Sequence, residues 1–182
     1  MTTPKEIEKF INKTKELEKG HQLDLSSGED LSIAIMNLIG IEEHMFFTSQ
    51  KLGDTKYLDV LNTAREMRKE LMKKIVKEGQ GEVWCTSKHL LSASMRLMEV
   101  GTKSLTKGDQ KEANDYFKKS FDLYNLFWGL NLGLIDSSVE TLRATSLLSN
   151  KNLPLKEKPI PEKSLMGTIS QTIGKILDCC RE

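Results

Sequence analysis

The stretch Glu82–Leu105, EVWCTSKHLLSASMRLMEVGTKSL, decides the fold. Ser87, Ser94 and Gly101 recur in it every seven residues, beside Trp84, Leu91, Met98 and Leu105. A seven-residue return of small side chains has a helical period. It marks a face on which a second helix can approach closely and gain dispersion contacts. Lys107-Gly108-Asp109 stops this helix, and a further helix is predicted over about 110–134. That helix carries Tyr116, Phe117, Phe121, Tyr124, Phe127 and Trp128, more than half of the chain's aromatic side chains. Two long helices joined by a three-residue turn predict a helical hairpin.

Working outward, Gly79-Gln80-Gly81 reads as a turn, preceded by a helix over about 55–77. Its apolar stripe is Tyr57, Leu61, Ala64, Leu71 and Ile75; Lys, Arg and Glu fill the rest, the pattern of a surface helix. Gly53-Asp54 separates it from a helix over about 30–51. There Leu31, Ile35, Leu38, Met45 and Leu52 form one stripe, while Ile33, Met36, Gly40 and Phe47 occupy the opposite side. A helix apolar nearly all round is expected at the centre of a fold.

At the chain's start, Pro4 with Ile7, Phe10, Ile11 and Leu17, closed by Gly20, predicts a short amphipathic helix, and residues 20–28 a connection. Residues 137–148 suit a short helix. Residues 150–163 hold three of the four prolines and read as a Pro/Lys-rich linker. Over 164–182, Leu165, Ile169, Ile173, Ile176 and Cys180 align as a C-terminal amphipathic helix. No segment shows sustained strict alternation, so no strand is expected. The expected fold is all-α: an antiparallel four-helix bundle core within a domain over 1–149, with additional short N-terminal and C-terminal helices.

The hairpin over 97–126 resembles a single tetratricopeptide-type unit. Gly101, Ala113, Phe117 and Ser120 fall where that repeat carries a small residue, Ala, an aromatic and another small residue. Ser104 and Asn125 stand where it carries Tyr and Pro, and no second copy follows. A solenoid needs about three units to bury its core. The resemblance therefore implies close helix packing in this hairpin rather than a repeat protein.

Bulk properties narrow the function classes. The 182 residues include 27 basic and 26 acidic side chains, a formal net charge of +1, which makes nucleic-acid binding through a globally basic surface unlikely. Lys69, Lys73, Lys74 and Lys77 suit a solvated helix face better than an RNA-binding stripe. Cys85, Cys179 and Cys180 form no disulfide framework, and the charged opening residues do not resemble a secretory segment. No transmembrane segment is expected, because no apolar run approaches the ~18 residues needed to span a bilayer. A cytoplasmic location is the expectation. The ending CCRE lacks the pattern of a prenylation box.

Two polar constellations remain. Cys85 and His89 lie at i and i+4, and share a helix side with Glu82 and Arg96. Zinc or another transition metal held by that pair would take two more ligands, with Glu43 and His44 of IGIEEHMFF the natural donors. Ordinary packing is the favoured account. No second Cys pair exists, and Met45 stands where a Glu-x-x-His motif starting at Glu42 needs histidine. A Cys–His nucleophile is disfavoured because i and i+4 side chains project in parallel. The second constellation is Glu42 with Arg68, each on the core stripe of its helix. A buried ion pair that fixes register is expected. A phosphate- or carboxylate-binding pocket using Arg68, Arg65 and Arg96 is the sharper alternative.

The function these features predict is a non-enzymatic helical-bundle interaction or adaptor protein. Its partner would be another protein or a second copy, with pairing through the aromatic fourth helix one route. The C-terminal helix is expected to dock in cis, with a partner groove or peripheral membrane contact through 164–180 as alternatives. The rival is a metal- or small-ligand-binding bundle, an enzyme in one version. Its polar site would lie between helices 30–51 and 82–105, with Glu42, Arg68 and Arg96 on the ligand and Glu43, His44, Cys85 and His89 on the metal.

Overall fold

A computed structural model describes residues 25–77 and 81–135, together with positions 8, 12, 13, 167, 169, 172 and 173. The described residues form four α-helices and no strand: α1 (Leu25–Leu52), α2 (Lys56–Ile75), α3 (Glu82–Thr106) and α4 (Gln110–Asn131). The chain is all-α. Glu8, Asn12 and Lys13 are helical, as are Gly167, Ile169, Thr172 and Ile173. The predicted helix over 137–148 and the linker over 150–163 lie outside the described residues.

α3 and α4 pack closely, as do α1 and α2, and α1 also touches α3. The seven-residue stripe lies at the α3–α4 contact: Ser87, Ser94 and Gly101 are all buried, with Ser104 extending the row. A Cβ on Gly101 would sit 2.7 Å from the Phe117 ring and 3.2 Å from the Ala113 carbonyl oxygen, so only glycine permits this approach. Partners run in opposite order along the two helices. Ser87 meets Asn131, Ser94 meets Ser120 and Ser104 meets Glu112.

The turn between α3 and α4 leaves no slack. Gly108 adopts φ +83°, a left-handed conformation that favours glycine. Its N–H bonds to the Leu105 carbonyl at 3.0 Å, and the Asp109 N–H bonds to the Ser104 carbonyl at 3.0 Å, which completes a Schellman stop. The Asp109 carboxylate then accepts from the Glu112 N–H at 2.9 Å and caps α4. One residue thus closes one helix and opens the next.

Two helix boundaries differ from the sequence expectation. α1 begins at Leu25 rather than near Asp30, taking in residues 25–28, the end of the stretch whose sequence reads as a connection. Tertiary contact overrides the weak helix propensity of Ser and Gly there. A Cβ on Gly28 would come within 2.9 Å of the Trp128 indole, so the small residue lets α1 lie against α4. α4 ends at Asn131 rather than near Leu134. Gly133, at φ +65°, forms a second Schellman stop in which the Leu134 N–H bonds to the Gly129 carbonyl at 2.9 Å. The Lys13 ammonium donates to the Gly133 carbonyl, a favourable place for a cation beside the negative end of a helix.

The core gathers Ile35 and Met36 of α1, Met72 of α2, Val76, Leu90 and Leu91 of α3, and Leu126, Phe127, Trp128 and Leu130 of α4. Tyr124 stacks on Phe127, and both meet the Trp128 ring edge to face, which brings the largest aromatic side chains of α4 into the core. Ile169 and Ile173 are completely buried in the same core. A Cβ on Gly129 would collide with Ile135 and press on Ile173. These two positions of the C-terminal segment therefore dock in cis.

α1 departs from the expected central position. Its Ile35 and Met36 are buried, yet Ile33, Ile41, Phe46, Phe47 and Leu52 are exposed. Apolar all round, it is covered on only part of its circumference.

Gly101→Ala is expected to destabilise the fold by about 1–3 kcal/mol through overpacking against Phe117, read as a lowered urea midpoint. Gly40, around which an added Cβ meets nothing within 4 Å, gives the opposite sign: Gly40→Ala should raise stability by about 0.5–1 kcal/mol.

Candidate functional site

Glu42 and Glu43 are consecutive on α1, so their side chains leave the helix about 100° apart. Each finds an arginine on a different helix. Glu42 faces α2, where Arg68 grips it with two bonds: Nε to Oε1, and Nη2 to Oε2 at 3.2 Å. The Arg68 side chain is 5% exposed and that of Glu42 16% exposed, which makes this a desolvated, bidentate pair. The third arm of Arg68 reaches the Met72 sulfur at 3.5 Å. Both nitrogens that face α1 are taken by Glu42.

Glu43 faces α3 and pairs with Arg96, whose other nitrogen bonds to Glu99. This trio is about half exposed, and ion pairs of that kind contribute little each. Arg65 is exposed on α2. The expected phosphate pocket of Arg65, Arg68 and Arg96 is thus resolved into one buried pair, one surface trio and one solvated arginine.

The four metal candidates do not converge. Cys85 and His89 are both exposed on α3, with Cys85 a free thiol, and His44 is exposed on α1. Glu43 meets α3 at Arg96, eleven residues beyond Cys85. At 1.5 Å per residue that is about 16 Å of helix axis, far outside the reach of one ion's ligands. Among the described residues no group of three or more His, Cys, Asp or Glu side chains is placed to hold a metal. Glu82, Cys85, His89 and Arg96 do share one side of α3, as their spacing predicts, and that side is solvent-exposed.

Other polar groups are buried, and sequence reasoning missed most of them. Ser94 and Ser120 exchange bonds across the α3–α4 contact, each hydroxyl donating to the other's carbonyl at 2.9 and 2.7 Å. Asn131 donates to the Ser87 hydroxyl at 2.9 Å and to the Phe127 carbonyl at 2.8 Å. Ser32 of α1 shares a 2.7 Å bond with the Tyr124 hydroxyl. The Asn125 amide is completely buried, and among the described residues neither of its polar atoms has a hydrogen-bond partner, nor does the Trp128 indole N–H. The sequence signal for Asn125 is its position four residues before Gly129. That spacing sets it on the side of α4 against which Ile135 and Ile173 pack.

No helix among the described residues is long and apolar enough to cross a membrane. No protein-family model, no curated protein and no solved structure matches the chain. The functional reading therefore stands on the residues themselves.

Glu42→Ala should cost about 3–5 kcal/mol because it strands a buried guanidinium, whereas Glu42→Leu with Arg68→Met should be near neutral. A urea-unfolding double-mutant cycle measures both. Asn125→Leu removes unpaired polar atoms from the core; it should leave the urea midpoint unchanged or raise it by about 1 kcal/mol.

Proposed function

We propose that this chain is a non-enzymatic interaction protein that presents a helix face to a protein partner. The carrying observation is the open apolar side of α1, where Ile33 is 51% exposed, Ile41 42% and Phe47 60%. Scattered apolar residues on a surface need no explanation; three large ones along one side of one helix favour a contact surface. The charged residues that suggested ligand chemistry support the same reading, because Glu42, Arg68, Glu43 and Arg96 neutralise one another. Their role is to hold α1 in place. We further propose that the four helices form an antiparallel four-helix bundle to which the helical N-terminal and C-terminal segments are appended. The short connections within each close-packed pair support that arrangement.

A photo-reactive phenylalanine analogue at position 47 tests the interaction reading in a cell extract from the source organism. It should yield a protein adduct of discrete mass, while the same group at Lys103, exposed on α3, yields none. Ile33→Ser with Ile41→Ser should reduce the adduct at least tenfold without lowering the urea midpoint. No adduct at position 47 would sink the proposal.

A further inference from the structure

The open face of α1 has a pattern of its own. Asp30, Ile33, Asn37, Gly40, His44, Phe47 and Lys51 alternate at three- and four-residue spacing, which confines them to an arc of about 100°. Asp30, Ile33, Asn37, His44, Phe47 and Lys51 are all exposed, and the space over Gly40 is open. Read from either end, the row gives a charge, a large apolar side chain, a polar group able to hydrogen-bond, and glycine at the centre. Only the sign of the terminal charge differs: acidic at Asp30, basic at Lys51.

That order is self-complementary under a two-fold axis. When two copies of α1 cross in opposite directions at Gly40, Asp30 of each faces Lys51 of the other, Ile33 faces Phe47, and Asn37 faces His44. The two glycines meet at the crossing point, where the absence of side chains lets the backbones approach. A two-fold contact uses one patch twice, so one stripe satisfies both sides. Neither Asp30 nor Lys51 takes part in an ion pair among the described residues, which leaves both charges available to a second chain.

We propose that the partner of this face is a second copy of the chain, paired antiparallel through α1 about Gly40. This rests on the reading of α1 as an interaction face and names its occupant. The stripe covers about 32 Å of helix, less than a standard interface, so the dimer is expected to dissociate in the micromolar range.

The test is sedimentation equilibrium of the full chain, in reductant so that the exposed Cys85 thiol forms no disulfide. The wild type should shift from 20.6 kDa toward twice that mass with rising concentration. Gly40→Gln should weaken association at least tenfold while keeping the helical circular dichroism signal, since the side chain has free space in the single chain. Asp30→Lys makes both ends of the stripe basic and Lys51→Asp makes both acidic. Each alone should stay monomeric, yet the two mixed should pair with each other, an outcome that general apolar stickiness does not produce. The proposal is overturned by a monomeric wild type at about 200 µM, well above the expected micromolar Kd. A dimer indifferent to Gly40→Gln overturns it too, as does folded Asp30→Lys and Lys51→Asp protein that fails to pair. The adduct at position 47 separates the two readings. An adduct of twice the chain's mass is the second copy. One of another mass leaves the interaction reading standing and removes this one.

Discussion

Two neighbouring carboxylates on α1 point in different directions, and the buried one bears most on where the helix sits. Glu42 is drawn into α2 by the Arg68 guanidinium, and Glu43 is drawn to α3 by Arg96. The first pair is buried. Its attraction must offset the loss of water around two charges, so its net contribution to stability is small while its geometric demand is severe. A slip of α2 along α1 by one residue would leave a guanidinium inside the protein without its carboxylate. The pair thus favours the register in which Arg68 meets Glu42, a directional demand that apolar packing alone does not make.

With α1 held from both sides, its remaining circumference is left to solvent. That explains why an apolar helix sits at the edge of the core. The surplus apolar residues, Ile33, Ile41 and Phe47, are those the two arginine contacts turn outward. The α3–α4 pair has the opposite character. It buries the larger aromatic mass, with Phe127 and Trp128 inside, although Met98, Leu105 and Phe121 stay exposed. Its contact is lined with hydroxyls that bond to one another or to carbonyls, such as Ser94 with Ser120. Close approach permitted by small residues and short polar bonds across the seam are two consequences of one choice of side-chain size.

The helical architecture was legible because its signals are local. The period of Ser87, Ser94 and Gly101, the stops at Gly53 and Gly108, and the stripe positions of Glu42 and Arg68 all lie in short stretches of sequence. What was not legible depends on which surface meets which. The composition of α1 shows that it is apolar all round, and only the packing shows that one side is uncovered. Gly28 and its serine neighbours look like a loop until the Trp128 indole is placed against Gly28. The spacing of Cys85 and His89 does place them on one side of α3, but a metal site needed Glu43 and His44 to arrive at the same level. Glu43 meets α3 at Arg96, about two to three turns further on. Asn125 carries a positional signal, four residues before Gly129, but nothing local to it says that its amide is buried without a partner among the described residues.

The turn at Gly108 and Asp109 has a bearing on how this chain can vary in length. Every residue from Lys107 to Gln110 has a fixed duty: the C-cap of one helix, the left-handed stop, the shared cap, the first of the next. One residue inserted and absorbed into α4 would rotate everything beyond it by about 100°. Phe127 and Ser120 would leave the seam, and the side of α4 that receives Ile135 and Ile173 would move with them. The connection is a phase-setting element, and its length is constrained as tightly as the identity of any side chain in the core.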